Sequence, residues 1–229
     1  MARNRSGKSR RIAAKDSVVV IGMGRFGQAI ALELVEETTE VLGLDMDADV
    51  VQSLSGRLTH VVRADSTKEE VLRQLAVHEF SRAVVAIGTN LEASILTASL
   101  LVSFGIPNVW AKATSEAHGR ILSQLGVHHV VYPEHDMGQR VAHLVRGRML
   151  DYIEFEDDFA MVKTRTPSTM VGRSLAESAI RTRYGLTVVA VKRKGEGFTY
   201  ATAETVLHED DTIIVAGRTH QTEQFSELH

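Results

Sequence analysis

Almost uninterrupted apolar runs alternate along this chain with segments whose apolar positions recur at helical spacing. The runs are VVVIG at 18–22, VLGLD at 41–45, HVVRAD at 60–65, AVVAIG at 83–88, NVWAKA at 108–113 and HHVVYPE at 128–134. Between them, helical spacing covers 28–37, 48–56, 67–75, 91–104 and 115–125. Strands that stay apolar instead of alternating are covered on both faces, and crossovers of helix length join parallel neighbours. Right-handed crossovers then leave a doubly wound α/β sheet of the Rossmann-like kind, with strand order 3-2-1-4-5-6.

Residues 135–150 (HDMGQRVAHLVRGRML) put Met137, Val141, Leu144, Val145 and Met149 on one helical stripe, with Arg140, His143, Arg146 and Arg148 off it. The stripe follows the last run and precedes a change of register, so it reads as a connecting arm. Beyond Asp151, FAMVKTR at 159–165 alternates, LTVVAVKR at 186–193 and DTIIVAG at 211–217 are strands, and 174–183 and 220–228 have helical spacing. The expected organisation is a basic tail at 1–15, a doubly wound domain at 16–134, a crossover helix at 135–150 and a small α+β domain at 151–229. Asp151, Glu154, Glu156, Asp157 and Asp158 fall at the junction, where a solvated linker is the simpler reading and a divalent-cation site the alternative.

Composition narrows the classes. A chain of 229 residues with 44% apolar content can bury a core in each of two domains. The net charge of −3 gives no whole-chain attraction to nucleic acid, and interleaved aromatics are missing too. Without cysteine there is neither a disulfide framework nor thiol catalysis. The first fifteen residues carry six basic side chains and no acid, yet no apolar core of seven or more residues follows them. They read as a solvated tail, with contact to anionic lipid as the alternative, and not as a secretory signal. No stretch reaches the roughly eighteen consecutive apolar residues that a membrane span needs.

Candidate chemistry gathers in GMGRFG. Gly22, Gly24 and Gly27 follow the first strand and open the first helix, and Asp45 ends the second strand twenty-one residues after Gly24. Glycines so spaced let the chain turn sharply and bring backbone N–H groups against a phosphate, while the carboxylate accepts from ribose hydroxyls. This order predicts an adenine-nucleotide site. Asp45 would repel a 2′-phosphate, which disfavours NADP and leaves ATP, ADP, AMP and NAD.

Arg25 and Phe26 fill the loop's variable positions. An arginine there suits a forked contact to a terminal phosphate and would tell ATP from ADP. Asp47 is a helix cap or a second sugar contact. Asp65, Ser66 and Thr67 follow the third strand, where the simpler reading makes one of them the cap of the next helix and the alternative sets them beside an adenine. Ala86, Ile87, Gly88 and Asn90 stand after the fourth strand, Lys112 at the end of the fifth and Glu134 after the sixth. Ligands of doubly wound sheets bind at these carboxyl ends.

In order along the chain, GMGRFG, LD, RADST, VAIGTNLEASILTASLL, IPNVWAKA and YPEHDMG resemble the regulator-of-potassium-conductance (RCK) domain of bacterial potassium uptake. The family is that of cytosolic subunits of the Ktr and Trk type. The resemblance covers about residues 16–150, and the 79 residues after it fit the family's small C-terminal domain. It implies a regulatory subunit and not an enzyme: a cytoplasmic protein, peripheral at the membrane, whose dimers assemble into an octameric ring. The ring docks on a separate membrane potassium-translocating subunit, and ATP or ADP, or alternatively NAD or NADH, changes its shape.

By position, the resemblance assigns phosphates to Gly22, Gly24 and Gly27, ribose to Asp45 and the adenine side to Asp65, Ser66 and Thr67. It gives Arg25 the γ-phosphate in a neighbouring subunit, and places Lys112 and Glu134 near phosphate and a bound divalent cation, with Glu134 as metal ligand. Cyclic di-AMP in the C-terminal domain is a further implication, for which Arg181, Arg183 and Tyr184 suit phosphate and base.

The alternative is an NAD-dependent oxidoreductase, which needs a positioned proton donor. Four residues after Tyr132, Tyr152, Tyr184 and Tyr200 stand Asp136, Glu156, Val188 and Glu204, so a Tyr-x-x-x-Lys pair is absent. The helix at 91–104 is apolar around most of its circumference, as in a crowded core or a subunit contact.

Overall fold

The computed structural model describes residues 16–146 and 149–228. The basic tail at 1–15 and Arg148 of the expected arm lie outside the described residues. Two compact units divide between Glu134 and His135.

The first unit alternates strand and helix: β1 (Val18–Ile21), α1 (Arg25–Glu36), β2 (Val41–Asp45), α2 (Ala48–Leu54), β3 (His60–Arg63), α3 (Glu69–Gln74), β4 (Arg82–Val85), α4 (Leu91–Ser103), β5 (Asn108–Lys112), α5 (Glu116–Gln124) and β6 (His129–Val131). All strand pairs are parallel and the order is β3-β2-β1-β4-β5-β6, as the pattern predicts. The unbroken run in β1 serves two cores at once. Val19 and Ile21 join Leu72, Val85, Leu101 and Leu122 on one face, whereas Val18 and Val20 join Ala31, Val41 and Leu54 on the other. Side chains alternate across a strand, so a strand covered twice has no polar positions to show.

α4 resolves its own ambiguity residue by residue. Ser94, Thr97, Ala98 and Leu101 are buried in the unit's own core, while Leu91 and Leu96 are exposed. Asn90 caps the helix by accepting from the Ala93 N–H at 2.9 Å.

The second unit takes up α6 (Pro133–Arg146) from its third residue onward, followed by β7 (Asp151–Phe155), β8 (Phe159–Arg165), α7 (Leu175–Ser178), α8 (Ile180–Tyr184), β9 (Thr187–Lys192), β10 (Phe198–Tyr200), β11 (Thr212–Arg218) and α9 (Thr219–Ser226). Its sheet is antiparallel in the order β10-β9-β11-β8-β7, with Tyr152, Val162, Ile213, Val215 and Phe225 in the core.

Three features depart from the sequence pattern. The acidic junction is partly strand: β7 pairs with β8 from Asp151↔Lys163 to Phe155↔Phe159, and its edge position leaves Tyr152 as its one buried residue. The helical stretch at 174–183 breaks at Ala179, whose φ of +49° is left-handed, after a start fixed by the Ser174–Glu177 capping box. Finally, the stripe on α6 does not act as a unit: Leu144 and Met149 join the core, but Met137, Val141 and Val145 are exposed, Val145 to 81%.

Candidate functional site

The glycine loop is held from below. Gly22 has φ +92°, and a Cβ there would stand 2.9 Å from the Ile87 backbone nitrogen. A Cβ on Gly27 would drive into the carbonyl oxygen of Gly22 and meet the Ala86 Cβ. These two glycines are required by the protein's own packing, as the turn between β1 and α1 passes close to the end of β4.

Gly24 is different. Its φ of −69° and ψ of −175° suit any residue, and a Cβ on it would meet nothing within 4 Å. It sits at the N-cap of α1, where no side chain caps the helix and the first turn holds no acid. The uncapped N-terminus of a twelve-residue helix faces open space at this point.

Asp45, the last residue of β2, ties this loop down. Its carboxylate accepts from the Met23 N–H at 2.5 Å and from the Asp47 N–H at 2.8 Å. A carboxylate has about four lone-pair sites, so two remain for hydroxyl donors. Asp47 caps α2 through the Asp49 and Val50 N–H groups. Gln28, with no distinguishing sequence signal, donates from Nε2 to the Met23 carbonyl at 2.8 Å and braces the loop from the helix side.

At the end of β3, Asp65 accepts from both the N–H and the hydroxyl of Thr67, at 3.0 and 2.6 Å. Those bonds, the hydroxyl one first, hold its carboxyl below the ordinary carboxylate range. Ser66 turns inward, its hydroxyl buried and 2.8 Å from that of Thr97. Arg63 stands opposite Asp45 in the β2–β3 register and donates from Nε to the Met46 carbonyl at 2.9 Å. The β2–β3 register thus sets a cation one strand over from Asp45.

On the other side of β1, polar groups come from the ends of β4 and β5 and the start of α6. A Cβ on Gly88 would come within 3.3 Å of Lys112 Nζ. Lys112 is 11% exposed, donates to Glu134 Oε1 at 2.5 Å and lies 5.7 Å from the Phe26 ring centre. That bond, then the charges of Lys112 and Arg25, hold the Glu134 carboxyl low. Arg25 itself is exposed on the first turn of α1. The structure thus brings Gly22, Gly27, Ala86 and Ile87 together, and likewise Phe26, Gly88, Lys112 and Glu134; Asn90 serves α4 instead.

Behind Thr114 the buried His118 accepts the Thr114 N–H on Nδ1 at 3.3 Å, and burial pushes its pKa down. Of the adjacent pair, His128 accepts from the Val109 N–H while His129 stacks on Trp110 at 4.0 Å. Among the described residues no three His, Cys, Asp or Glu side chains gather as a metal site, either around Glu134 or at the acidic junction. None of the described helices is long and apolar enough to cross a membrane.

The TrkA-N domain model matches residues 18–133 and the TrkA-C domain model matches residues 159–229. Ktr system potassium uptake protein C of Bacillus subtilis (strain 168) is 39% identical over 204 residues, covering 89% of this chain and 92% of that protein. The chain belongs to the Ktr potassium-uptake protein family. Ktr system potassium uptake protein A of the same organism is 33% identical over 207 residues, covering 90% of this chain and 93% of that protein. The fold also matches the solved GsuK channel bound to NAD, with TM-score 0.66 at 18% identity over 94% of this chain and 40% of that one. RCK architecture is therefore the fold of this protein, which spans about two fifths of that channel chain.

Proposed function

We propose that this protein is a nucleotide-sensing regulatory subunit that gates a separate potassium-translocating membrane subunit and catalyses no reaction. The observation that carries the reading is Gly24. Packing accounts for Gly22 and Gly27, but nothing among the described residues requires a glycine at this open, uncapped helix N-terminus. A phosphate approaching the backbone N–H groups does require one. Asp45 takes the ribose with its two free lone-pair sites, and Arg63 and Asp65 border the adenine end.

Lys112 and Arg25 are the cations for the outer phosphates, a pair that suits ATP or ADP, with NAD or NADH as the alternative. As a polyphosphate takes Lys112, Glu134 loses its partner and becomes a carboxylate available to a divalent cation, whose other ligands are phosphate oxygens and water. Cyclic di-AMP, if bound, falls to the second unit, where Arg183 lies 5.6 Å from the Tyr184 ring.

The energetics are modest. Driving a two-state ring from 1:99 to 99:1 takes roughly 5.5 kcal/mol of differential binding. Spread over the eight sites of an octamer this is about 0.7 kcal/mol each, less than one charge-assisted hydrogen bond of about 1.5–3 kcal/mol. A single γ-phosphate contact by Arg25 per site is sufficient. Potassium flux through a Ktr membrane subunit reconstituted with this protein should differ between ATP and ADP, and the difference should vanish in Arg25→Ala. Equal flux with both nucleotides rejects the reading.

A further inference from the structure

α6 carries two polar contacts on one face, three residues apart, that tie it to the second unit. Arg140 donates to Asp151 Oδ1 at 2.5 Å, and the same oxygen takes the Tyr152 N–H at 2.9 Å. His143 Nδ1 lies 2.8 Å from Glu223 Oε1 on α9, with the two side chains only 24% and 29% exposed. The imidazole is stacked on the Tyr152 ring, centres 4.2 Å apart and planes at 20°.

The groups around His143 differ in what they can titrate. Tyr152 on β7 is buried, which together with the nearby Glu154 and Glu223 carboxylates pushes its hydroxyl up to about 12, so it stays neutral. Asp151 on β7 is held below the ordinary carboxylate range by the Arg140 guanidinium and stays charged. On α9 the partner is Glu223, and the exposed His220 stands one turn before it. On α6 itself, His135 pairs with Asp136 two turns away. Of the side-chain types at this contact, histidine is the one whose ordinary range falls between pH 5 and 8.

We propose that His143 is a proton-operated latch that fastens α6 to β7 and α9: closed while the imidazolium faces Glu223, loosened when the ring gives up its proton. The stacking on Tyr152 persists in both states and keeps the ring in place, so the proton changes the strength of the contact and not its geometry. An ion pair that needs the imidazolium contributes on the acid side of histidine's range and is lost as pH rises. The Arg140–Asp151 pair holds throughout and sets the floor. Since α6 also carries the exposed Met137, Val141 and Val145, the latch governs how firmly an apolar stripe is presented. This inference goes beyond nucleotide sensing and does not depend on it.

Hydrogen exchange of the α6 amides in the full chain, corrected for intrinsic rates at pH 6.0 and pH 8.5, tests the latch. Protection should fall about fivefold at the higher pH, the size expected of one partly buried ion pair. His143→Gln and Glu223→Gln should each remove that pH dependence, and His220→Gln should keep it. Unchanged protection in the wild type overturns the proposal without any variant, and so does full pH dependence in His143→Gln or in Glu223→Gln.

Discussion

The three loop glycines give the sharpest division between what folding requires and what a ligand requires. Gly22→Ala puts a side chain on a residue at φ +92° and 2.9 Å from a backbone nitrogen. Backbone strain of about 1–3 kcal/mol and overpacking of about 1–3 kcal/mol together make about 2–6 kcal/mol. Gly27→Ala meets the Gly22 carbonyl and should cost about as much as the overpacking share, about 1–3 kcal/mol or more.

Gly24→Ala meets nothing and keeps an allowed backbone. Alanine is a worse N-cap than glycine by about 0.5–1 kcal/mol, and the stiffer unfolded chain returns about 0.4–1 kcal/mol, so the net is within about 0.5 kcal/mol. At about 2–4 °C per kcal/mol, Gly24→Ala should melt within about 2 °C of the wild type and the other two well below it. Its methyl group nevertheless occupies the approach to the helix N-terminus. Losing one charge-assisted contact of about 1.5–3 kcal/mol weakens ATP or ADP about ten- to hundredfold by calorimetric titration. Wild-type affinity in Gly24→Ala, or a melting loss equal to that of Gly22→Ala, refutes the reasoning.

Other consequences are as direct. Leu101 has no exposure and Leu96 is 44% exposed, so Leu101→Glu should unfold the first unit by stranding a buried charge, whereas Leu96→Glu should stay folded and lower the assembly mass by light scattering if α4 meets another subunit. Ala179→Gly should stabilise the second unit by about 0.5–1 kcal/mol in urea melts, because φ +49° costs alanine about 1–2 kcal/mol and glycine's unfolded-state entropy returns part of it. The depressed carboxyls of Asp65 and Asp151 contribute above the ordinary carboxylate pKa of about 4 and lose that contribution as pH falls through their lower folded values. Asp65→Asn should therefore lower stability by a constant amount over pH 6–9, with no change of slope there, and flatten the acid limb below about pH 4.

The first unit was legible because its signals agree at every level. Continuous apolar strands, helix-length crossovers and a glycine loop followed by Asp45 all specify one topology, and the sheet order came out as the pattern requires. The second unit was only partly legible. β7 is an edge strand that buries little beyond Tyr152, and β10 buries none of its three residues, so neither has a hydrophobic alternation to read. The break at Ala179 had no turn residue to announce it. At the site, residue types and order showed which strand ends carry polar groups. Only the folded structure separates Gly24, which is open, from Gly22 and Gly27, which are packed, and turns Ser66 toward Thr97. Pairings such as Lys112 with Glu134, twenty-two residues apart, depend on tertiary register and leave no local trace.

The central claim is that occupancy of the crevice at the end of β1 becomes quaternary geometry. Small-angle X-ray scattering of the purified protein with saturating ATP, with saturating ADP and without nucleotide measures this directly. Ring-sized particles whose scattering curves differ between ATP and ADP are the predicted result. Superimposable curves from nucleotide-loaded samples, or a single-subunit particle in every condition, would contradict it.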